Sequence, residues 1–487
     1  MKLRQFIIFL IGAFVSLYLV YSSTVMAPYV RNDGLRYFDK YYNRNSNFTT
    51  DPQFKWLCAL GRPVAALEEA FIYQKINHLS DLSRLRLLTI TVFALNASLL
   101  SSIVVALGLP VIPAFCMSIV IFTLPGIQEC VFVPFLFIAL AQLCSLSAYV
   151  IWMSRWVFGL RIILSFLLLE IAFFTYVPST FFFLIPVTFL LILKEDDWPH
   201  AKKVWLRDMI FGILAAAVYL CVIRIFFYKY IELSGHQIKW DSVLNNIKTF
   251  LPQAVPQSFN LWNIYYSKVL GITIGLFVAG VLLANALFSK KNIALQRISA
   301  LLGIFVIFNM VWILLGGYLP RTFVASQALV LLLVYWSGDW LLRMLKSNKW
   351  ANESWPIILL ALGLIFANIM TTRNVWNCNA ELMFIRSRIA QYENSYIREI
   401  HIIRPQDTTR GYNGLSIVYD NFNDGSTGQT ELTGLIRAAL KDLDDPPIEM
   451  HCMVTSSNYG EPFTMGPNVI LIDMNDLVRI SKKTGTH

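Results

Sequence analysis

Apolar runs of about 20 residues, the length that carries an α-helix across a bilayer, recur in this chain from residue 5 to about residue 370. The pattern predicts about eleven spans, over 5–25, 86–106, 109–125, 131–152, 158–176, 180–193, 209–228, 267–288, 299–316, 322–342 and 355–370. The first run, "FIIFLIGAFVSLYLVYSSTV", is not followed by a small-x-small cleavage pattern and reads as a retained span, not a signal peptide. Beyond residue 370 the period changes. "ELMFIRSRIAQYEN" keeps helical spacing, whereas "REIHIIRP", "LSIVYD", "IEMHCMVTS" and "NVILIDM" read as short strands. "TGQTELTGLIRAALKDL" begins like a capped helix. The expected fold is therefore mainly α, a polytopic membrane helix bundle over 1–370 with a small α/β domain over 371–487.

Composition agrees. Of the 487 residues 56% are hydrophobic and 14% charged, against roughly 25% charged in soluble domains. A net charge of +10 would point to nucleic acid in a soluble protein. Here much of it lies in short connections on one side: Lys2 and Arg4, Arg155, "KEDDWPHAKKVWLR", "SKKNIALQR" and "RMLKSNKW". The opposite turns "LPGIQEC" and "TYVPST" contain no lysine or arginine. The positive-inside rule then places the N-terminus in the cytoplasm and the loop 26–85, the segment 229–266 and the tail outside, with no nucleic-acid partner. Arg84 and Arg86 run against the rule. No His/Cys group has metal-ligand spacing, and Cys116, Cys130, Cys144 and Cys221 read as packing residues. Cys378 and Cys452 of the tail are either a disulfide in an oxidising compartment or buried thiols.

The first outer loop opens with an unusual density of ionisable and aromatic groups, "MAPYVRNDGLRYFDKYYN". On a helix Arg36, Tyr37 and Lys40 would share the face of Asp33, whereas Asp39 at i+6 would point roughly 120° away. Gly34 can break that helix and return Asp39 to the same side. The same stretch also reads as an interfacial anchor, with Tyr29, Tyr37, Tyr41 and Tyr42 as an aromatic belt. Further along the loop a "GRP" turn carries Arg62 ahead of Glu68 and Glu69. Glu129 lies in a lysine- and arginine-free outer turn, and Arg321 of "GGYLPRTFVAS" sits at the outer end of a span. An arginine there wants an anion, either a phospholipid headgroup or the phosphate of a lipid-linked substrate. Within the spans Glu170 is the most costly residue.

The order of parts is an inward N-terminus, one span, a long outer loop opening on an acidic residue, a "GRP" turn, many short-looped spans, a late "PR" step and an outer tail. This layout resembles the GT-C membrane glycosyltransferases, and among them the Gtr type-II serotype-converting glucosyltransferases that modify O-antigen. The family pattern has two adjacent acidic residues after the first span; here "RNDGLRY" has Asn32 and then Asp33, so only Asp33 is carried over. The resemblance implies a bacterial inner-membrane enzyme. It would move a sugar, glucosyl by the resemblance, from a polyprenyl-phosphate donor to an O-antigen or other lipid-linked or lipopolysaccharide glycan acceptor, with inversion, on the periplasmic side. Asp33 becomes the candidate general base, and Arg62 and Arg321 the candidates for the departing phosphate. Arg36, Tyr37, Asp39, Lys40 and Glu129 complete the expected substrate-binding set. The chemistry demands no cofactor, while a divalent ion on Asp33, Asp39 or Glu129 stays open. An O-antigen polymerase or ligase and a transporter of lipid-linked saccharide are the competing expectations.

Overall fold

The structure is a computed structural model that describes residues 3–29, 52–226 (without 74, 77 and 194–196), 240–261 (without 251 and 253–254), 268–345 (without 289–290 and 316–319), 349–392, 399–403, 436, 439, 453–457 and 460–476 (without 464, 465 and 467). The chain is mostly helical. Helix α1 (Leu3–Met26) is followed by the short α2 (Pro52–Ala59) and α3 (Pro63–Tyr73), then by α4 (Leu79–Ala106), α5 (Val111–Ile121), α6 (Pro125–Phe132), α7 (Leu136–Trp152) and α8 (Phe158–Thr175). After these come α9 (Val177–Leu193), α10 (Trp198–Phe226), α11 (Lys268–Phe288), α12 (Lys291–Phe308), α13 (Val324–Met344) and α14 (Lys349–Ala390).

Among the described residues six helices, α1, α4, α8, α10, α13 and α14, are long and apolar enough to cross a membrane. The pair α5 and α6, bent by 54° at its junction, makes a seventh if counted as one broken span. Shorter apolar helices lie within α7, α9, α11 and α12. Each of the eleven segments expected from the sequence thus falls on a helix, but among the described residues only six of those helices, or seven with the bent pair, meet both the length and the hydropathy of a span.

The close packing of these helices follows from small and hydroxylated side chains. Gly12 of α1 faces the Phe115 ring of α5, and a Cβ there would lie 2.7 Å from it. The buried hydroxyls of Ser98, Ser101 and Ser102 on α4 fold back on carbonyls four residues earlier, at 2.7, 2.8 and 2.6 Å, so that they present little polarity to their neighbours. Asn96 joins α4 to α7 through a 2.9 Å bond to the Ala139 carbonyl.

The break between α5 and α6 is where the backbone demands most. Non-helical backbone at membrane depth is tolerated only where its polar groups are satisfied. Tyr21 of α1 donates to the Phe122 carbonyl at 2.8 Å, and Gln128 donates to the Thr123 carbonyl at 2.8 Å. The other end of α6 is held by Arg86, which donates to the carbonyls of Phe132 (3.4 Å), Thr24 (3.3 Å) and Tyr29 (2.9 Å) and lies over the Tyr29 ring. That explains the arginine that runs against the charge bias: Arg86 is 1% exposed and is bonded inside the bundle. Arg84 is exposed and pairs with Asp81 at 3.4 Å.

The tail does not begin as a separate body at residue 371. Helix α14 continues unbroken to Ala390, and its Leu382, Ile385 and Ile389 enter a second core with Leu79 and Leu82 from the start of α4. Three parallel strands, β1 (Glu399–Ile403), β2 (Met453–Ser457) and β3 (Val469–Asp473), form a sheet in the order β2-β1-β3 and close that core with Ile400, Ile402, Val454, Ile470 and Ile472. These are three of the strands expected from alternation. "LSIVYD" and most of the expected tail helix lie outside the described residues, as does Cys452, while Cys378 packs on α14 beside Tyr29, Phe132 and Val375.

Candidate functional site

Three residues expected at a site, Arg62, Glu129 and Arg321, converge at the end of the bundle where α1 finishes. Asp33, Arg36, Tyr37, Asp39 and Lys40 lie outside the described residues. The described chain stops at Tyr29, whose hydroxyl donates to the Phe132 carbonyl at the end of α6, the same short helix that carries Glu129 (3.3 Å).

Arg62 is placed by the turn between α2 and α3. Gly61 takes a positive φ of 74°, a conformation for which glycine has no steric penalty. Pro63 then opens α3, where a missing N–H costs nothing. The turn is clamped from inside by Tyr219 of α10, whose hydroxyl donates to the Gly61 carbonyl at 3.2 Å. The result is a half-buried guanidinium 4.7 Å from the centre of the Tyr176 ring. Among the described residues no acceptor takes a hydrogen bond from that guanidinium. Burial lowers its pKa, and the neighbouring positive charge of Arg321 adds to that, while Tyr176, Tyr219 and Glu69 pull the other way.

Arg321 comes from the 3-10 turn Pro320–Thr322 that leads into α13. Its backbone N–H donates to one carboxylate oxygen of Glu129 at 3.1 Å, and its guanidinium makes an ion pair with the other. The guanidinium also lies 4.6 Å from the centre of the Phe135 ring. Both partners are largely buried, so the pair ties the end of α6 to the start of α13.

Tyr176 is the floor between the two arginines. It links α8 to α9 in an extended conformation, is 1% exposed, and lies within electrostatic reach of Arg62, Arg321 and Glu129. Its hydroxyl has no hydrogen-bond partner among the described residues. Sequence reasoning passed over it, because a tyrosine in a turn free of lysine and arginine gives no signal until packing surrounds it with charge. On α3 Glu69, which acts on Arg62, is 3% exposed, and the adjacent Glu68 has its pKa raised to about 8, first by burial and then by the charge of Glu69. Deeper in α8, Glu170 is 8% exposed and neither of its oxygens has a hydrogen-bond partner among the described residues.

A second polar constellation lies on the tail sheet. His401 meets Thr455 at 2.7 Å through Nδ1 and Ser457 at 2.9 Å through Nε2, Thr455 donates to Glu399, and Phe463 stacks on the imidazole at 3.6 Å. Burial lowers the pKa of His401. This row closes on itself, which marks it as a network that orders the sheet face. No group of three His, Cys, Asp or Glu side chains gathers as a metal site among the described residues.

Fold and site together define a polytopic helical membrane protein with Arg62 over a buried tyrosine, and Arg321 within electrostatic reach of it, at one end of its bundle. No protein-family model matches the chain, and no curated protein matches it in sequence.

Proposed function

We propose that this protein is a membrane glycosyltransferase of the GT-C type, which takes a sugar from a polyprenyl-phosphate donor and passes it, with inversion, to a cell-surface glycan acceptor such as O-antigen. In this reading the four shorter apolar helices complete about eleven spans, broken and short elements being usual where a bundle encloses a polar site. The basic connections face the cytoplasm. The end with Arg62, Tyr176 and Arg321 then faces the periplasm, together with the tail.

The observation that carries the reading is Arg62 over Tyr176 with Arg321 within electrostatic reach of both, the Arg62 guanidinium being taken up by no protein acceptor among the described residues. Cations at that end of a bundle oppose the usual charge bias and need an anionic reason. A phosphate leaving group supplies one: its charge grows as the glycosidic bond breaks, and preorganised guanidinium groups stabilise it without a general acid. Asp33 acts as the base on the acceptor side of the ring, carried by a loop whose described base is anchored against α6 by Arg86 and Tyr29. Glu129 holds the Arg321 fork in place.

Incubating the purified protein with a polyprenyl-phosphate sugar and an oligosaccharide acceptor should produce covalent transfer, abolished by Asp33→Asn at unchanged expression. Growth of the acceptor by whole repeat units would identify a polymerase or ligase instead, and movement of the lipid across a bilayer without transfer would identify a transporter.

A further inference from the structure

Buried tyrosine hydroxyls at this end of the bundle follow a rule with one exception. Tyr21 donates to the Phe122 carbonyl at 2.8 Å, Tyr29 to that of Phe132 at 3.3 Å, and Tyr219 to that of Gly61 at 3.2 Å. Each completes the backbone accounting of a break or a turn. Tyr176 is as buried as these, and its hydroxyl donates to nothing among the described residues. A buried hydroxyl normally has a partner, and one left without it costs stability unless something other than the protein supplies the acceptor.

The surroundings say what kind of acceptor that is. One face of the ring is covered by the Arg62 guanidinium, and Arg321 acts on the same phenol from the side of α13. A neutral acceptor such as water would leave the Arg62 guanidinium, which meets no acceptor among the described residues, without an anion beside it, whereas an oxyanion would accept from Arg62 and from the phenol together. A phosphoryl group has three acceptor oxygens, and it can meet the Arg62 guanidinium and the hydroxyl together, within electrostatic reach of Arg321. We propose that the Tyr176 hydroxyl donates a hydrogen bond to a phosphoryl oxygen held by Arg62, making Tyr176 a positioning residue for the phosphate of a polyprenyl-phosphate lipid. The choice of lipid rests on the proposed glycosyltransferase function; the phosphoryl chemistry does not.

The test is Tyr176→Phe, which keeps the ring beneath Arg62 and removes only an oxygen that has no protein partner. Binding of a fluorescent polyprenyl monophosphate to the purified full chain in lipid nanodiscs should weaken about tenfold, the worth of one hydrogen bond to a charged group. Without the lipid the variant's melting temperature should equal or exceed that of the wild type, while the rise caused by added lipid shrinks. A tyrosine with a merely structural role would instead lower the first and leave the second. As a check independent of the variant, a photoreactive polyprenyl phosphate should label the wild-type segment around Tyr176.

Unchanged affinity in Tyr176→Phe, or labelling confined to other segments, overturns the proposal. Displacement of the probe by phosphatidylglycerol or inorganic phosphate as readily as by unlabelled polyprenyl phosphate overturns its assignment to the polyprenyl class. Loss of binding in Tyr176→Phe combined with no sugar transfer by the wild type would leave this site standing and remove the glycosyltransferase reading.

Discussion

Arg86 and Arg62 lie at the same end of one helix bundle and are held in opposite ways. Arg86 is 1% exposed and spends its donors on three backbone carbonyls, from Thr24, Tyr29 and Phe132, while its plane rests 3.8 Å from the centre of the Tyr29 ring. Arg297, buried elsewhere in the bundle, behaves likewise and closes the carbonyls of Leu191 and Ile192 near the end of α9. Arg62 also rests on a tyrosine ring, yet no described acceptor meets its guanidinium. An arginine whose N–H groups are answered by the protein is part of the frame. One whose N–H groups are not answered is arranged for something that arrives later.

That contrast breaks most visibly at the frame. Arg86→Met removes a donor from three carbonyls at once, of which that of Phe132 keeps the Tyr29 hydroxyl, and should cost about 3–5 kcal/mol, at roughly 1–3 kcal/mol for each lost buried bond before relaxation. The expected outcome in a thermal unfolding assay is a large loss of melting temperature or a failure to accumulate in the membrane. Arg86→Lys should rescue little, since one ammonium cannot span carbonyls from α1, the loop base and α6.

At Arg62 the expected effect moves from folding to function. Arg62→Gln should leave the melting temperature within a few degrees and reduce polyprenyl-phosphate binding and transfer by roughly 30- to 100-fold, the loss of a charge-assisted fork. Stability measured beside affinity decides it. A variant that unfolds with unchanged affinity would make Arg62 a frame residue like Arg86.

A smaller effect tests the turn that aims Arg62. At Gly61 an added Cβ would stand 2.5 Å from the Tyr219 hydroxyl, on a backbone that already prefers glycine. Gly61→Ala should cost about 1–2 kcal/mol of strain and weaken phosphate binding with it. Tyr219→Phe, which removes the crowding oxygen, should return part of the loss in a double-mutant cycle.

The smallest expected change is in pH dependence. Glu68 has its pKa raised to about 8 by burial and then by Glu69, so it is neutral at pH 7 and becomes charged as the pH rises through about 8. New negative charge next to Glu69, the carboxyl that acts on Arg62, disfavours an anion there, so affinity for the lipid phosphate should fall by about two- to threefold between pH 7 and pH 9 at low salt. The sign for stability is the same: a carboxyl with a raised folded-state pKa adds most below its unfolded value, and that contribution disappears as the pH passes the folded one. Glu68→Gln should flatten both profiles.

The apolar periodicity made the helices legible, including those too short to count alone, and the alternation in "REIHIIRP", "IEMHCMVTS" and "NVILIDM" made three strands legible. Their order did not follow, because β1 pairs with strands that come later in the chain. At the expected domain boundary of 370 polarity changes along the sequence, while α14 runs through it and carries Leu382 and Ile385 into the tail core, a continuity that polarity does not reveal. Arg62 stood out at its "GRP" turn, and Arg321 at a span end expected to lie outside, against the charge rule. Arg86 broke the same rule for another reason, and its partners Thr24, Tyr29 and Phe132 lie 46 to 62 positions away in the chain, so sequence alone did not separate frame from site. Tyr176 gave no sequence signal, because an unanswered hydroxyl exists only once the surrounding helices have packed.

The most direct test is sugar transfer from a polyprenyl-phosphate donor by the purified wild type and by Arg62→Gln, with folding checked by melting temperature in the same preparations. The expected result is covalent transfer by the wild type and a loss of roughly 30-fold or more in the variant at an unchanged melting temperature. Equal transfer by both proteins, or a wild type that moves no sugar under conditions where it binds the lipid, would contradict the account.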